Sequence, residues 1–237
     1  LTQVFDMMTS GDVAAMIAEP IQGVGGFATP PDGFFGAMKK ELENRGVLFI
    51  SDEVQTGWGR TGEHFWGYQA HGIVPDVLTF AKGVANGLSL GGLVASADLM
   101  DSLPGNSLST FGGNPLSSVG ALATIRYMLE HDIQGHALRM GERLVGHLQP
   151  AVDASEAVAE LRGKGLMRAL ETVQPGTIEP DAVAAGRIME EARAAGLLIG
   201  KGGLYGNVLR IAPPMTVTEE EIDEAGTVLA GIIERLG

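Results

Sequence analysis

The chain is expected to fold as an α/β protein, a mainly parallel sheet followed by a smaller C-terminal α+β unit, on three observations. Strand-like apolar runs alternate with helical stretches through the first half. One run, Val47-Leu48-Phe49-Ile50, is continuously apolar, as in a strand buried on both faces of a parallel sheet. The last third changes to short strands around glycines. In order, Val13 to Ala18 reads as a strand ending at Glu19-Pro20, and Pro31 to Asn44 as a helix, with Pro31 and Asp32 at its start and Phe34, Phe35, Met38 and Leu42 at helical spacing. The Val47 strand runs into Ser51-Asp52-Glu53. Asp76 to Ala81 forms a neighbouring strand, Gly83 to Leu88 a flexible polar turn, and Gly91 to Ser96 another strand. Pro115 to His131 is a long helix with Leu122, Ile125 and Leu129 on one face. A domain boundary is expected near Pro150, dividing residues 1–150 from 151–237. Beyond it, Val158 to Arg162 and Leu166 to Leu170 flank Gly163-Lys164-Gly165 as a hairpin or bulge, Asp181 to Ala195 is helical, and Asn207 to Ile211 is a short strand. Thr218 with Glu221 is a capping-box pattern that opens the last helix.

With 237 residues and 45% apolar content, the chain can bury one sizeable core and a smaller second one. A net charge of −13 leaves no basic stripe for phosphates, which argues against a nucleic-acid or anionic-membrane partner. Without cysteine there are no disulfides and no thiolate metal sites. No segment has the length of a transmembrane helix and Leu1-Thr2-Gln3-Val4 lacks a signal-peptide pattern, so a cytoplasmic location is the default expectation. The five histidines, 64, 71, 131, 136 and 147, show no ligand spacing, and no metal is expected. Gly23, Gly25 and Gly26 match neither a P-loop nor a dinucleotide pattern and read as a turn. Trp58, Phe65, Trp66 and Tyr68 read as the packing of a loop.

The chemistry lies at two strand ends. Asp52 closes the continuous apolar strand, and Lys82 follows the next one in Thr79-Phe80-Ala81-Lys82-Gly83. Parallel sheets place ligands at the carboxyl ends of their strands. A lysine amine there can condense with a carbonyl cofactor, and an aspartate can hold a pyridinium nitrogen protonated, which is the minimum equipment for pyridoxal phosphate. A solvated Asp–Lys ion pair is the plainer alternative, and spacing alone leaves both open.

The surrounding motifs go further. Ala18-Glu19-Pro20-Ile21-Gln22-Gly23, Asp52-Glu53-Val54-Gln55-Thr56-Gly57-Trp58-Gly59-Arg60-Thr61-Gly62, Thr79-Phe80-Ala81-Lys82-Gly83, Ser109-Thr110-Phe111-Gly112-Gly113-Asn114-Pro115 and Leu209-Arg210-Ile211-Ala212-Pro213-Pro214 occur in the order seen in class III aminotransferases, which the chain closely resembles. The resemblance implies the fold-type I pyridoxal phosphate architecture and transfer of an amino group between an amino acid and a 2-oxo acid. It makes Lys82 the Schiff-base lysine and proton shuttle, Asp52 the partner of the pyridinium nitrogen, Val54 the aliphatic contact under the ring, and Gln55 a neighbour of the phenolic oxygen. Thr110 becomes a phosphate ligand given to the other subunit of a homodimer, and Arg210 the grip on the substrate carboxylate. A decarboxylase or aminomutase on the same scaffold, or a non-catalytic chain, are the alternatives.

Two departures carry expectations. Where the 4-aminobutyrate and ornithine enzymes have a glutamate able to pair with that arginine, this chain has Val24, so monocarboxylate substrates and acceptors such as pyruvate or glyoxylate are expected. The resemblance also spans only about the C-terminal half of the family pattern. The glycine- and serine-rich phosphate loop and the aromatic residue over the ring are not found before Glu19, so a complementary polypeptide, a truncated parent gene or an unusual oligomer is expected to account for them.

Overall fold

In the computed structural model, which describes residues 1–236, the apolar runs of the first half pair into one four-stranded sheet. The chain divides into two units: Leu1–Pro20, Pro30–Trp58 and His64–His131 form the first, and Ile21–Thr29, Gly59–Glu63 and the chain from Asp132 onward form the second.

The first unit comprises α1 (Thr2–Met8), β1 (Ala15–Ala18), α2 (Phe34–Asn44), β2 (Leu48–Asp52), β3 (Val77–Phe80), β4 (Gly92–Ala95), α3 (Ala97–Asp101) and α4 (Pro115–Glu130). The sheet order is β1-β2-β3-β4, parallel except for the antiparallel β4. Phe49 on β2 is fully buried and packs with Phe5, Phe35, Met38, Leu42 and Val47. Helix α2 begins at Phe34, later than Pro31, because Gly33 takes the left-handed conformation at its N-cap (φ 79°) and makes the entry turn. Helix α4 starts as its sequence dictates, with Pro115 in the first turn and Asn114 accepting from the Ser117 N–H. Helix α1 escaped sequence reading because its seven residues carry no cap and only Phe5 is buried.

The second unit comprises α5 (Ile133–Asp153), β5 (Val158–Lys164), β6 (Met167–Thr172), α6 (Ala182–Ala194), β7 (Gly200–Gly202), β8 (Val208–Ile211) and α7 (Glu219–Glu234). Its sheet, ordered β5-β6-β8-β7, is antiparallel throughout. Gly163 and Gly165 both have positive φ, at 101° and 48°, and the chain reverses tightly between Lys164 and Met167. Leu144, Leu148, Leu170, Ile188, Leu209 and Leu229 form the centre of the core. The expected boundary at 150 falls inside α5, whose buried face, Ala137 to Val152, packs on α7 and β5. The division between the units falls instead at His131/Asp132, where Asp132 in the left-handed region (φ 47°) breaks the helical run and caps α5. The capping box at Thr218 and Glu221 forms as read.

Asp76, just before β3, ties the first unit together. Its Oδ2 accepts from Lys39 Nζ (2.6 Å) and from the Phe49 N–H (2.7 Å). Burial pulls its pKa upward, and the Lys39 ammonium and the Phe49 amide together outweigh that pull, so the folded value lies below the ordinary 3.8. A depressed folded pKa stabilises the native state above the unfolded value, and that contribution disappears as pH falls through the folded value. Acid titration by circular dichroism should therefore show stability falling below about pH 4, and Asp76→Asn should lower stability at neutral pH and flatten that fall.

Candidate active site

The register of the first sheet brings the two chemistry-bearing strand ends side by side. Ser51 lies opposite Leu78 and Asp52 opposite Thr79 in the parallel pair, and the Glu53 N–H donates to the Thr79 carbonyl (3.0 Å). Lys82 follows three residues after Thr79, at the same carboxyl edge as Asp52. The Asp52 carboxylate is half-buried, and its Oδ1 accepts from the Val54 N–H (3.1 Å), which fixes its orientation.

Lys82 is exposed and has φ 46°, a left-handed conformation that costs a non-glycine residue about 1 kcal/mol or more. The flanking chain holds it there. Phe80 packs edge-on to Trp58 before it, and Val84 and Ala85 are buried after it. The Val84 N–H donates to the Ala81 carbonyl, and the Asn86 N–H to that of Gly83. Helix α4 packs against this turn, where a side chain at Gly120 would strike Leu88. The stretch expected to be a flexible polar turn is thus a short 3-10 turn pinned by buried apolar residues.

Sequence reasoning missed Glu53. Its carboxylate is fully buried and accepts four hydrogen bonds, from Ser51 Oγ (3.1 Å), Thr56 Oγ1 (2.6 Å), the Gly67 N–H (2.7 Å) and the Tyr68 N–H (2.8 Å). It closes the loop from Val54 to Tyr68 around itself. Two of its donors are backbone amides more than a dozen residues downstream, which no local pattern announces. The aromatic residues pack this loop as read: Trp58 meets Phe65, Trp66 and Phe80 edge-on. Gly57 admits Trp66 at a distance that a side chain would forbid. The indole edge of Trp58 approaches Gly83, beside Lys82, and its buried Nε1 has no hydrogen-bond partner.

Val54 and Gln55 are half-buried at the start of the same loop. Thr110 is exposed in the segment between α3 and α4. Arg210, on β8, belongs to the second unit, where its Nη1 donates to the Gly23 carbonyl (3.3 Å) and its Cζ lies 5.8 Å from the Phe27 ring centre. Arg60, a second residue not singled out from sequence, donates to the Pro213 carbonyl (2.6 Å) and so holds the chain just after β8; burial pushes its pKa down to about 10. The glycines at 23 and 26 close a turn, with the Gly26 N–H donating to Gly23 O. Among the described residues no cluster of His, Asp and Glu could hold a metal ion, and no helix is long and apolar enough to cross a membrane.

The family model for class III aminotransferases matches residues 1–233. The chain belongs to the class III aminotransferases. It is 39% identical over 223 residues to an alanine/serine racemase of Pyrococcus horikoshii, covering 94% of this chain and 47% of that protein. It is 39% identical over 217 residues to alanine–glyoxylate aminotransferase 2 homolog 2 of Arabidopsis thaliana, covering 91% and 45%. A transaminase structure from a marine Virgibacillus superposes with a TM-score of 0.90 at 30% identity, covering all of this chain and 57% of that one. The chain thus spans about half the length of the curated relatives it matches. Its fold is that of the fold-type I pyridoxal phosphate enzymes, and family membership implies that cofactor.

The residues fit such a group. Lys82 offers an exposed amine with no ion pair among the described residues, and Asp52 offers a carboxylate held by one amide at the adjacent strand end. Removing the buried Glu53 carboxylate would leave its amide donors unsatisfied, at about 1–3 kcal/mol each before relaxation. Glu53→Ala should lower stability by at least about 2 kcal/mol and red-shift the tryptophan emission as Trp58 and Trp66 become wet, both readable in one denaturant titration.

Proposed function

We propose that this chain carries the catalytic lysine of a pyridoxal phosphate-dependent aminotransferase that moves an amino group between an amino acid and a 2-oxo acid. The observation that supports this most is Lys82 itself, a non-glycine residue kept in a left-handed conformation at the end of β3, beside the end of the parallel strand that carries Asp52. Strained backbone of this kind collects at functional sites. When bound, pyridoxal phosphate supplies an aldehyde that condenses with amines and a ring that draws electrons from the substrate Cα. In this reading Lys82 Nζ holds the cofactor covalently and, once released, moves the proton at the substrate Cα. The Asp52 carboxylate keeps the proton on the ring nitrogen. Val54 packs on the ring, Gln55 hydrogen-bonds the phenolic oxygen, and Arg210 grips the substrate carboxylate. The chain up to His131 supplies the C-terminal part of the cofactor-binding domain, and the chain from Asp132 onward the small domain.

Thr110 is assigned to the phosphate of a neighbouring subunit in a homodimer. Its setting supports this: Leu108 and Phe111 beside it are 91% and 82% exposed, apolar surface of the kind a second copy covers.

Val24 supports monocarboxylate substrates. No carboxylate pairs with Arg210 among the described residues, and its Nη1 donates to the Gly23 carbonyl. A second reading, racemisation at Cα, has the Pyrococcus relative in its favour. Incubation with an amino donor and each of pyruvate, glyoxylate and 2-oxoglutarate separates these. Transamination yields one 2-oxo acid per amino acid formed, whereas a racemase inverts Cα with the amino group retained. The account expects pyruvate or glyoxylate to be preferred and Val24→Glu to move the preference toward 2-oxoglutarate. A strong preference for 2-oxoglutarate that Val24→Glu leaves unchanged would contradict it.

A further inference from the structure

Arg210 is held by shape rather than by a charge partner. It stands on β8 opposite Gly200, and its side chain lies along the antiparallel β7, whose sequence Gly200-Lys201-Gly202 leaves one face bare. A Cβ built on Gly200 would sit 3.8 Å from Arg210 Nη2, an ordinary contact. A Cβ on Gly202 would sit 2.9 Å from Arg210 Nε, 3.0 Å from its Cδ and 2.8 Å from the Val24 carbonyl oxygen. The arginine stem therefore occupies the space that a side chain at 202 would need. Neither glycine has a positive φ, so alanine at either position meets only this steric difference.

The loop from Gly23 to Phe27 confines the guanidinium further. Gly23 accepts the one long hydrogen bond from Nη1, and the Gly203 N–H ties the Val24 carbonyl to the chain just after β7 (3.0 Å). Phe27 is buried with φ 54°, a left-handed conformation that a bulky residue adopts only under constraint, and its ring faces the guanidinium. Gly26 before it lies so close to Val208 that a Cβ would approach to 2.9 Å. Arg210 Nε is buried with no hydrogen bond. With no ion pair to recentre it among the described residues, the guanidinium sits where packing puts it.

We propose that Gly202 is a positioning residue for Arg210: its missing side chain sets where the guanidinium rests and so sets carboxylate affinity. This rests on the reading of Arg210 as the carboxylate grip. The test follows the arginine Nε–Hε resonances of the isotope-labelled chain during titration with pyruvate, assigning Arg210 by its loss in Arg210→Lys. Gly202→Ala should shift the Arg210 resonance and weaken pyruvate binding about tenfold, the loss that follows when about one hydrogen bond to a charged group is broken. Gly200→Ala should do neither. An unmoved resonance and unchanged affinity in Gly202→Ala would overturn the proposal. If Arg210→Lys itself leaves pyruvate binding unchanged, the role given to Arg210 fails and the proposal with it; if Arg210→Lys weakens binding while Gly202→Ala does not, the proposal fails alone. Should Gly202→Ala unfold the chain, the same substitution in an Arg210→Ala background, which removes the stem that a side chain at 202 meets, decides. Recovery of folding there places the conflict at the arginine, and equal loss in both backgrounds places it at Val24 and refutes the proposal.

Discussion

The parallel pairing of β2 with β3 is the constraint on which the candidate site depends. Because Asp52 and Thr79 are register partners, the carboxylate and the lysine three residues further on must emerge at one edge of the sheet. A one-residue slip would exchange the faces of β2, turning Phe49 out of the core and Asp52 away from that edge. The buried Phe49 and the Asp76 bond to its amide therefore fix the position of the candidate site as well as the core.

Two local devices finish what the register begins. Glu53 converts the end of β2 into a closed loop by gathering four donors around one buried carboxylate, and the aromatic residues of that loop reach the Lys82 turn through Trp58. The pinned turn then keeps Lys82 in a conformation it would not choose in isolation. In the second unit the corresponding device is a lack of side chains, with β7 presenting glycines where Arg210 lies down. Both units hold a cationic residue by packing, with no carboxylate partner for it among the described residues.

Much of this was legible in the sequence where one residue type carries one physical demand. The continuous Val47 to Ile50 run gave a central strand, Asn114-Pro115 a helix start, Thr218 with Glu221 a cap, and Gly163 and Gly165 a tight reversal. The ordered motifs around Asp52, Lys82 and Arg210 led to the family. What escaped depends on distant partners. Glu53 reads as one more acidic residue until Gly67 and Tyr68 return to it. Gly200-Lys201-Gly202 has no apolar pattern and becomes a strand only by pairing with β8. The division of the chain was misplaced because Pro150 looked like a helix end, whereas it sits within the last turn of α5, and the break lies at Asp132.

The central claim, that Lys82 is the residue this fold prepares for covalent capture of a carbonyl cofactor, is tested most directly by incubating the chain with pyridoxal phosphate, reducing with borohydride and mapping the modified peptide by mass spectrometry. The account predicts one stable pyridoxyl adduct on Lys82, absent from Lys82→Ala. An adduct spread over the other lysines with Lys82 unmodified, or no adduct at all, would contradict it.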